Sequence, residues 1–132
     1  MWRCGNFRQI GGGIVADVVT QSLAEIFPND PPCFMARIPH GYYDVERIRD
    51  ELAAAGFSNV SVDAVDEKSR ASSPRDPAMA YCQGTPLRNE IEAHDAPGLE
   101  NATRHAAEAL ARRFGNGPIE GRIRAFVITA VR

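Results

Sequence analysis

Lysine is almost missing from this chain: of 15 basic residues, Lys68 is the sole lysine and the remainder are arginines. That scarcity leaves no choice of lysine for a Schiff base or a phosphate cradle, and Lys68 itself lies in a polar stretch that suits a solvated role. An excess of one charge is missing too, because the 15 basic residues face 17 acidic ones spread along the sequence. Without a basic face, nucleic acid is not an expected partner. Long hydrophobic runs are absent, the apolar stretches falling well short of the roughly 18 to 20 residues of a membrane span. The first twenty residues carry Arg3, Arg8 and Asp17 in place of an apolar run with a small-residue cleavage site, so the expectation is a cytoplasmic protein with no membrane partner. The cysteines Cys4, Cys33 and Cys82 form no CxxC pair, which excludes a zinc knuckle or a redox motif, and their odd, scattered number suits a reducing compartment. With 132 residues there is room for one domain, and none for a barrel of about 250 residues.

What is present reads as a succession of helices with two strands. Residues 1–14, which include Gly11, Gly12 and Gly13, show no sustained period and form an irregular lead-in. Val15, Val18, Val19, Leu23, Ile26 and Phe27 then make one helical stripe, stopped by Pro28 and the turn of Asn29 to Pro32. Asp44 caps a helix with buried positions Val45, Ile48, Leu52 and Ala55, and Gly56 closes it. A strand follows in which Val60, Val62 and Ala64 alternate with polar residues, and the run KSRASSPRDP from Lys68 leaves it as a loop. Asp76 with Pro77 opens a short helix, Thr85 with Pro86 opens another to about His94, and Pro97 with Gly98 opens a third bearing Leu99, Ala102, Ala106, Leu110 and Phe114. The last element, Ile123 to Val131, is apolar on both faces and is written for a sheet interior. Two strands make a marginal sheet, so its partners must come from the N-terminal residues or from another chain.

Several pieces of this sequence carry a family likeness: FPNDPPCF (Phe27 to Phe34), IPHGYYD (Ile38 to Asp44), IRDELAAAGFSNVSVDAV (Ile48 to Val65), CQGTPLRNEIE (Cys82 to Glu92) and the closing GRIRAFVITAVR. From Ala16 to Arg132 the chain resembles the C-terminal half of class I S-adenosylmethionine-dependent methyltransferases, in a bacterial small-molecule branch. The resemblance implies an α/β chain with a partial class I methyltransferase-like fold: a small sheet with an antiparallel closing strand and a helical insertion. It implies a methyltransferase-like region over residues 15–132, with residues 76–116 as a helical lid over an acceptor pocket. The implied activity is methyl transfer from S-adenosylmethionine to a small molecule. The family's glycine-rich turn after its first strand and the acidic end of its second have no counterpart here, since no strand signal precedes Gly11 to Gly13. The expectation is therefore a truncated form lacking the cofactor-binding half. The alternative is a non-catalytic module that binds a small ligand or forms a homodimer through the C-terminal strand.

Methyl transfer from a sulfonium relies on positioning and desolvation more than on acid or base help. His40, Tyr42 and Tyr43, in the loop before Asp44, are the candidates for the acceptor pocket, with His40 as the candidate base. The competing reading makes the tyrosines packing residues and His40 an ordinary loop histidine. Gln83 and Thr85 lie where two helical pieces break and are candidate substrate contacts; Thr85 also serves as a plain helix cap. Arg88, a turn further on, is a candidate for an anionic group or else a solvated charge. Glu90 with His94 and His105 with Glu108 have helix-face spacing, but neither pair supplies the three convergent ligands a metal needs.

Overall fold

The structure, a computed structural model, describes residues 13–132. The lead-in expected over residues 1–14 therefore lies outside the described residues except at its end, where Gly13 precedes helix α1 (Ile14–Ile26). This helix buries Val15, Val19 and Leu23 on the stripe anticipated from their spacing. Thr20 and Ser22 are buried beside them because their hydroxyls donate to the Ala16 and Val19 carbonyls at 2.9 and 2.8 Å. A four-residue helix follows, α2 (Phe34–Arg37), where the proline-rich sequence signalled only a turn. Its exposed amides are satisfied from far along the chain: Glu90 Oε2 accepts from the Cys33 and Phe34 N–H groups at 2.8 and 3.0 Å. Cys33 is disulfide-bonded, so the cysteines are not the set of reduced thiols that their scatter suggests.

Helix α3 (Val45–Ala54) starts as expected, with Asp44 Oδ1 accepting from the Glu46 and Arg47 amides, and ends beside Gly56 at φ +85°. Its buried stripe is narrower than expected. Ile48 alone is buried, Val45 and Leu52 are half-buried and Ala55 is exposed. Strand β1 (Ser58–Ala71) is longer than its alternation suggested, and the expected loop from Lys68 is corrected. Residues 68–71 pair with β2 (Ile119–Val131), Lys68 opposite Arg122 and Ala71 opposite Ile119, and Glu120 holds both Lys68 at 2.6 Å and Arg70 at 2.8 Å. Polar residues lack intrinsic strand preference, but cross-strand pairing and opposite charges decide the matter here.

Helices α4 (Arg75–Gly84), α5 (Leu87–Glu92) and α6 (Leu99–Phe114) separate the strands. Asp76 is not the N-cap that its sequence context suggests; it lies in the first turn of α4 and accepts from the Ser73 N–H at 3.0 Å. In α6, Ala102, Ala106 and Leu110 are fully buried as anticipated. These helices meet α1 and α2 in one cluster around Val19, Leu23, Phe27, Met35, Cys82, Leu87, Ile91 and Leu110. The segment expected as a lid thus supplies much of the core.

The fold is α/β in the sense of mixed helix and strand, with a small sheet of two antiparallel strands among the described residues. The expectation of a strand buried in a sheet interior is corrected: Val127 and Val131 are more than half exposed. Both faces of β2 are apolar for a different reason. At one end α1 covers Ile119 and Gly121, where a Cβ on Gly121 would come within 2.6 Å of Val15 Cγ2. Towards the other end, residues 126, 128 and 130 are half-buried on the opposite face of the twisted ribbon, while α3 packs on β1 and Arg49 Nη1 donates to the Val60 carbonyl. Among the described residues no helix is long and apolar enough to cross a membrane.

Candidate functional site

Because the ribbon touches the helices only locally, hollows remain between them, two of which are lined by described residues. The first, of about 710 Å³, lies among the start of α1, the end of α6 and β2, with Asp17, Arg113, Phe114, Arg122 and Phe126 in its wall. The second, of about 590 Å³, lies among the loop before α3, Tyr81 of α4 and the ribbon, and includes His40, Tyr42, Tyr43, Glu67 and Ile123. Tyr43, Arg124 and Phe126 line both, so the hollows adjoin as one cleft.

Each hollow is lined by a residue with a buried polar atom that has no hydrogen-bond partner among the described residues: Asp17, through Oδ1, at the first and His40, through Nε2, at the second. Asp17 is 8% exposed, and burial raises its carboxyl from 3.8 to about 6. Tyr81 is raised as well, first by burial and then by the charge of Asp17. Burial lowers the pKa of His40, which favours the neutral imidazole and keeps it competent as a hydrogen-bond partner or base. The His40 backbone N–H is anchored to the Met35 carbonyl at 2.9 Å, which fixes the loop carrying the ring. That turn requires Gly41, since a Cβ there would come within 2.4 Å of the Arg37 carbonyl oxygen.

The structure brings His40, Tyr42 and Tyr43 together in the second hollow. Tyr42 donates its hydroxyl to Glu51, which also accepts from Arg47 Nε at 2.8 Å; the bond to Glu51 raises the phenol, and Glu51 is lowered in return. Gln83, Thr85 and Arg88 lie outside both hollows. Gln83 donates to Thr103 Oγ1 at 3.0 Å and to Glu100, Thr85 accepts from the Leu87 N–H while donating to the Tyr81 carbonyl, and Arg88 pairs with Glu92 at 3.0 Å.

The two acid and histidine pairs point elsewhere than to a metal. Glu90 caps α2 and binds Arg37 at 2.6 Å, while His94 stacks on Phe27 with ring centroids 4.4 Å apart. His105 meets Glu25 at 2.9 Å, and Glu108 pairs with Arg104. No group of three or more ligating side chains is assembled among the described residues. Cys82 is a buried free thiol, pushed up to about 11 by its surroundings, and is packed as a core residue.

The residues that the sequence reading missed are Asp17, Tyr81, Arg113 and Arg122. Asp17 had one signal, an acid enclosed by apolar neighbours in IVADVVT. The arginines had none, since nothing local joins the end of α6 to β2.

S-adenosylmethionine needs an open glycine turn that brings backbone amides to its methionine moiety. Gly13, the glycine before α1, does not fit that need. It bridges Ile123 in antiparallel fashion, and a Cβ there would already sit 2.9 Å from Ile123 Cγ2. No family model matches the chain, and neither does any curated protein.

Proposed function

We propose that this chain is a non-catalytic module that binds a small molecule in the cleft between the helices and the ribbon. One observation carries the reading: adjoining hollows are lined by Asp17 and His40, whose Oδ1 and Nε2 are buried without a partner among the described residues. An unpaired buried polar group costs about 1–3 kcal/mol. A ligand that pairs with both side chains recovers that cost on binding, while Tyr43 and Phe126 offer it apolar surface. The test is a nuclear magnetic resonance screen with small soluble fragments. Shifts of the Val18, His40 and Phe126 signals by the same fragments are expected, and a screen that moves none of them removes the reading.

The order of elements favours a second reading. Helix α3, Gly56 and strand β1, followed at the end of the chain by an antiparallel β2, is the arrangement that the methyltransferase resemblance implies. On that reading the cleft seats the acceptor of an S-adenosylmethionine-dependent methyl transfer, with Tyr42 and Tyr43 as acceptor contacts. Calorimetry with S-adenosylmethionine and S-adenosylhomocysteine separates the two: saturable heat supports the transferase, and its absence at millimolar concentration leaves the binding module. The binding-module reading carries a homodimer through β2, since Val127 and Val131 are exposed on that strand.

A further inference from the structure

The charges around the first hollow divide into those already used and those left over. Glu120 is held by Lys68 and Arg70, and Arg124 grips both oxygens of Asp66 at 2.6 and 2.7 Å. Arg113 and Arg122 make no side-chain hydrogen bond or ion pair with any described residue, although the charge of Arg122 adds weakly to the lowering of Asp66. Asp17 makes no side-chain hydrogen bond or ion pair with any described residue, and its Oδ1 is buried in a residue only 8% exposed. Two guanidinium groups and one carboxylate are therefore unspent, and they come from three different elements: α6, β2 and α1.

We infer that this hollow recognises α-amino acids, the ligand's carboxylate lying on Arg113 and Arg122 and its ammonium donating to the Asp17 carboxylate. The inference rests on the small-ligand reading above and names its ligand class. A plain anion would satisfy the arginines and leave Asp17 orphaned. A plain amine would do the reverse, so only a molecule carrying both groups meets all three side chains. Guanidinium groups suit a carboxylate because their N–H groups match its two oxygens. Tyr43, Phe114 and Phe126 in the same wall favour an aromatic side chain on the ligand.

Calorimetry with four related probes and inorganic phosphate tests this. L-phenylalanine has both charged groups, 3-phenylpropionate lacks the ammonium, 2-phenylethylamine lacks the carboxylate and benzyl alcohol lacks both. L-phenylalanine is expected to bind at least about tenfold tighter than each of the others and than phosphate. Arg113→Gln and Arg122→Gln should each weaken L-phenylalanine about tenfold and leave benzyl alcohol unchanged. Asp17→Asn should weaken L-phenylalanine and 2-phenylethylamine but not 3-phenylpropionate, a pattern that simple misfolding does not produce. Equal affinity for benzyl alcohol or 3-phenylpropionate overturns the amino-acid inference and leaves the small-ligand reading standing. So does phosphate binding as tightly as L-phenylalanine. Heat from no probe, with fragments still shifting Val18, also overturns the inference alone; silence in both experiments overturns both readings.

Discussion

Asp17 places a carboxyl without a partner among the described residues in the cleft wall, and two opposing effects act on it. Its position in the first turn of α1 favours the charged form by at most about 1 kcal/mol. Burial wins, raising the group from 3.8 to about 6. The folded chain thus holds this proton more tightly than the unfolded chain does. The resulting stability is full below 3.8 and is lost as the pH rises through about 6, a difference of about 2–3 kcal/mol. Asp17→Asn removes the titration, so urea denaturation should find the variant about 2–3 kcal/mol more stable at pH 8 and little changed at pH 3.5. His40 works in the opposite sense. Its lowered pKa gives stability that is present above 6.5 and lost as the pH falls through its folded value. In the Asp17→Asn variant the opposing contribution of Asp17 is gone, and stability should fall on acidification below 6.5. The sequence displayed both residues, yet it showed only His40 as a candidate, because a loop histidine signals chemistry by its type. Asp17 matters through its burial, and burial is not written in a residue's identity.

Helix α2 and the far half of β1 show how elements can depend on partners distant in sequence. Four residues do not make a stable helix alone. Glu90 holds α2 by accepting from two of its first amides and from Arg37, across more than fifty positions. Glu90→Ala should cost about 2–3 kcal/mol, since it leaves those amides unpaired, and amide hydrogen exchange should show residues 33–37 opening first. By contrast, α3 was legible because its signals are local: Asp44 caps it and Gly56 ends it within a dozen residues. Gly121 belongs to the non-local kind. Its backbone approaches α1 so closely that Gly121→Ala should destabilise the chain by about 1–3 kcal/mol, measured by thermal unfolding.

At the scale of the molecule, a helical core and a long two-stranded ribbon share few contacts, and the cleft is the space that this arrangement leaves. Leu110 sits fully buried where α6 meets α1, so Leu110→Ala should cost about 2–5 kcal/mol by urea denaturation. The ribbon makes its own prediction. If β2 pairs between copies, Val127→Lys places a charge on the exposed strand and should convert a dimer to a monomer in light scattering, with the helical signal unchanged. The sequence by itself determined the helices with strong periods, the capped turn into β1 and the apolar closing strand, because each depends on neighbours within a few residues. It also displayed the His40, Tyr42 and Tyr43 loop. Tertiary structure decided the rest: the extension of β1 opposite Glu120, the covering of the ribbon on different faces at its two ends, and the meeting of Asp17, Arg113 and Arg122 around one hollow. Those outcomes depend on which residues distant in the chain share a boundary, and periodicity reports the face a segment buries without naming what will cover it.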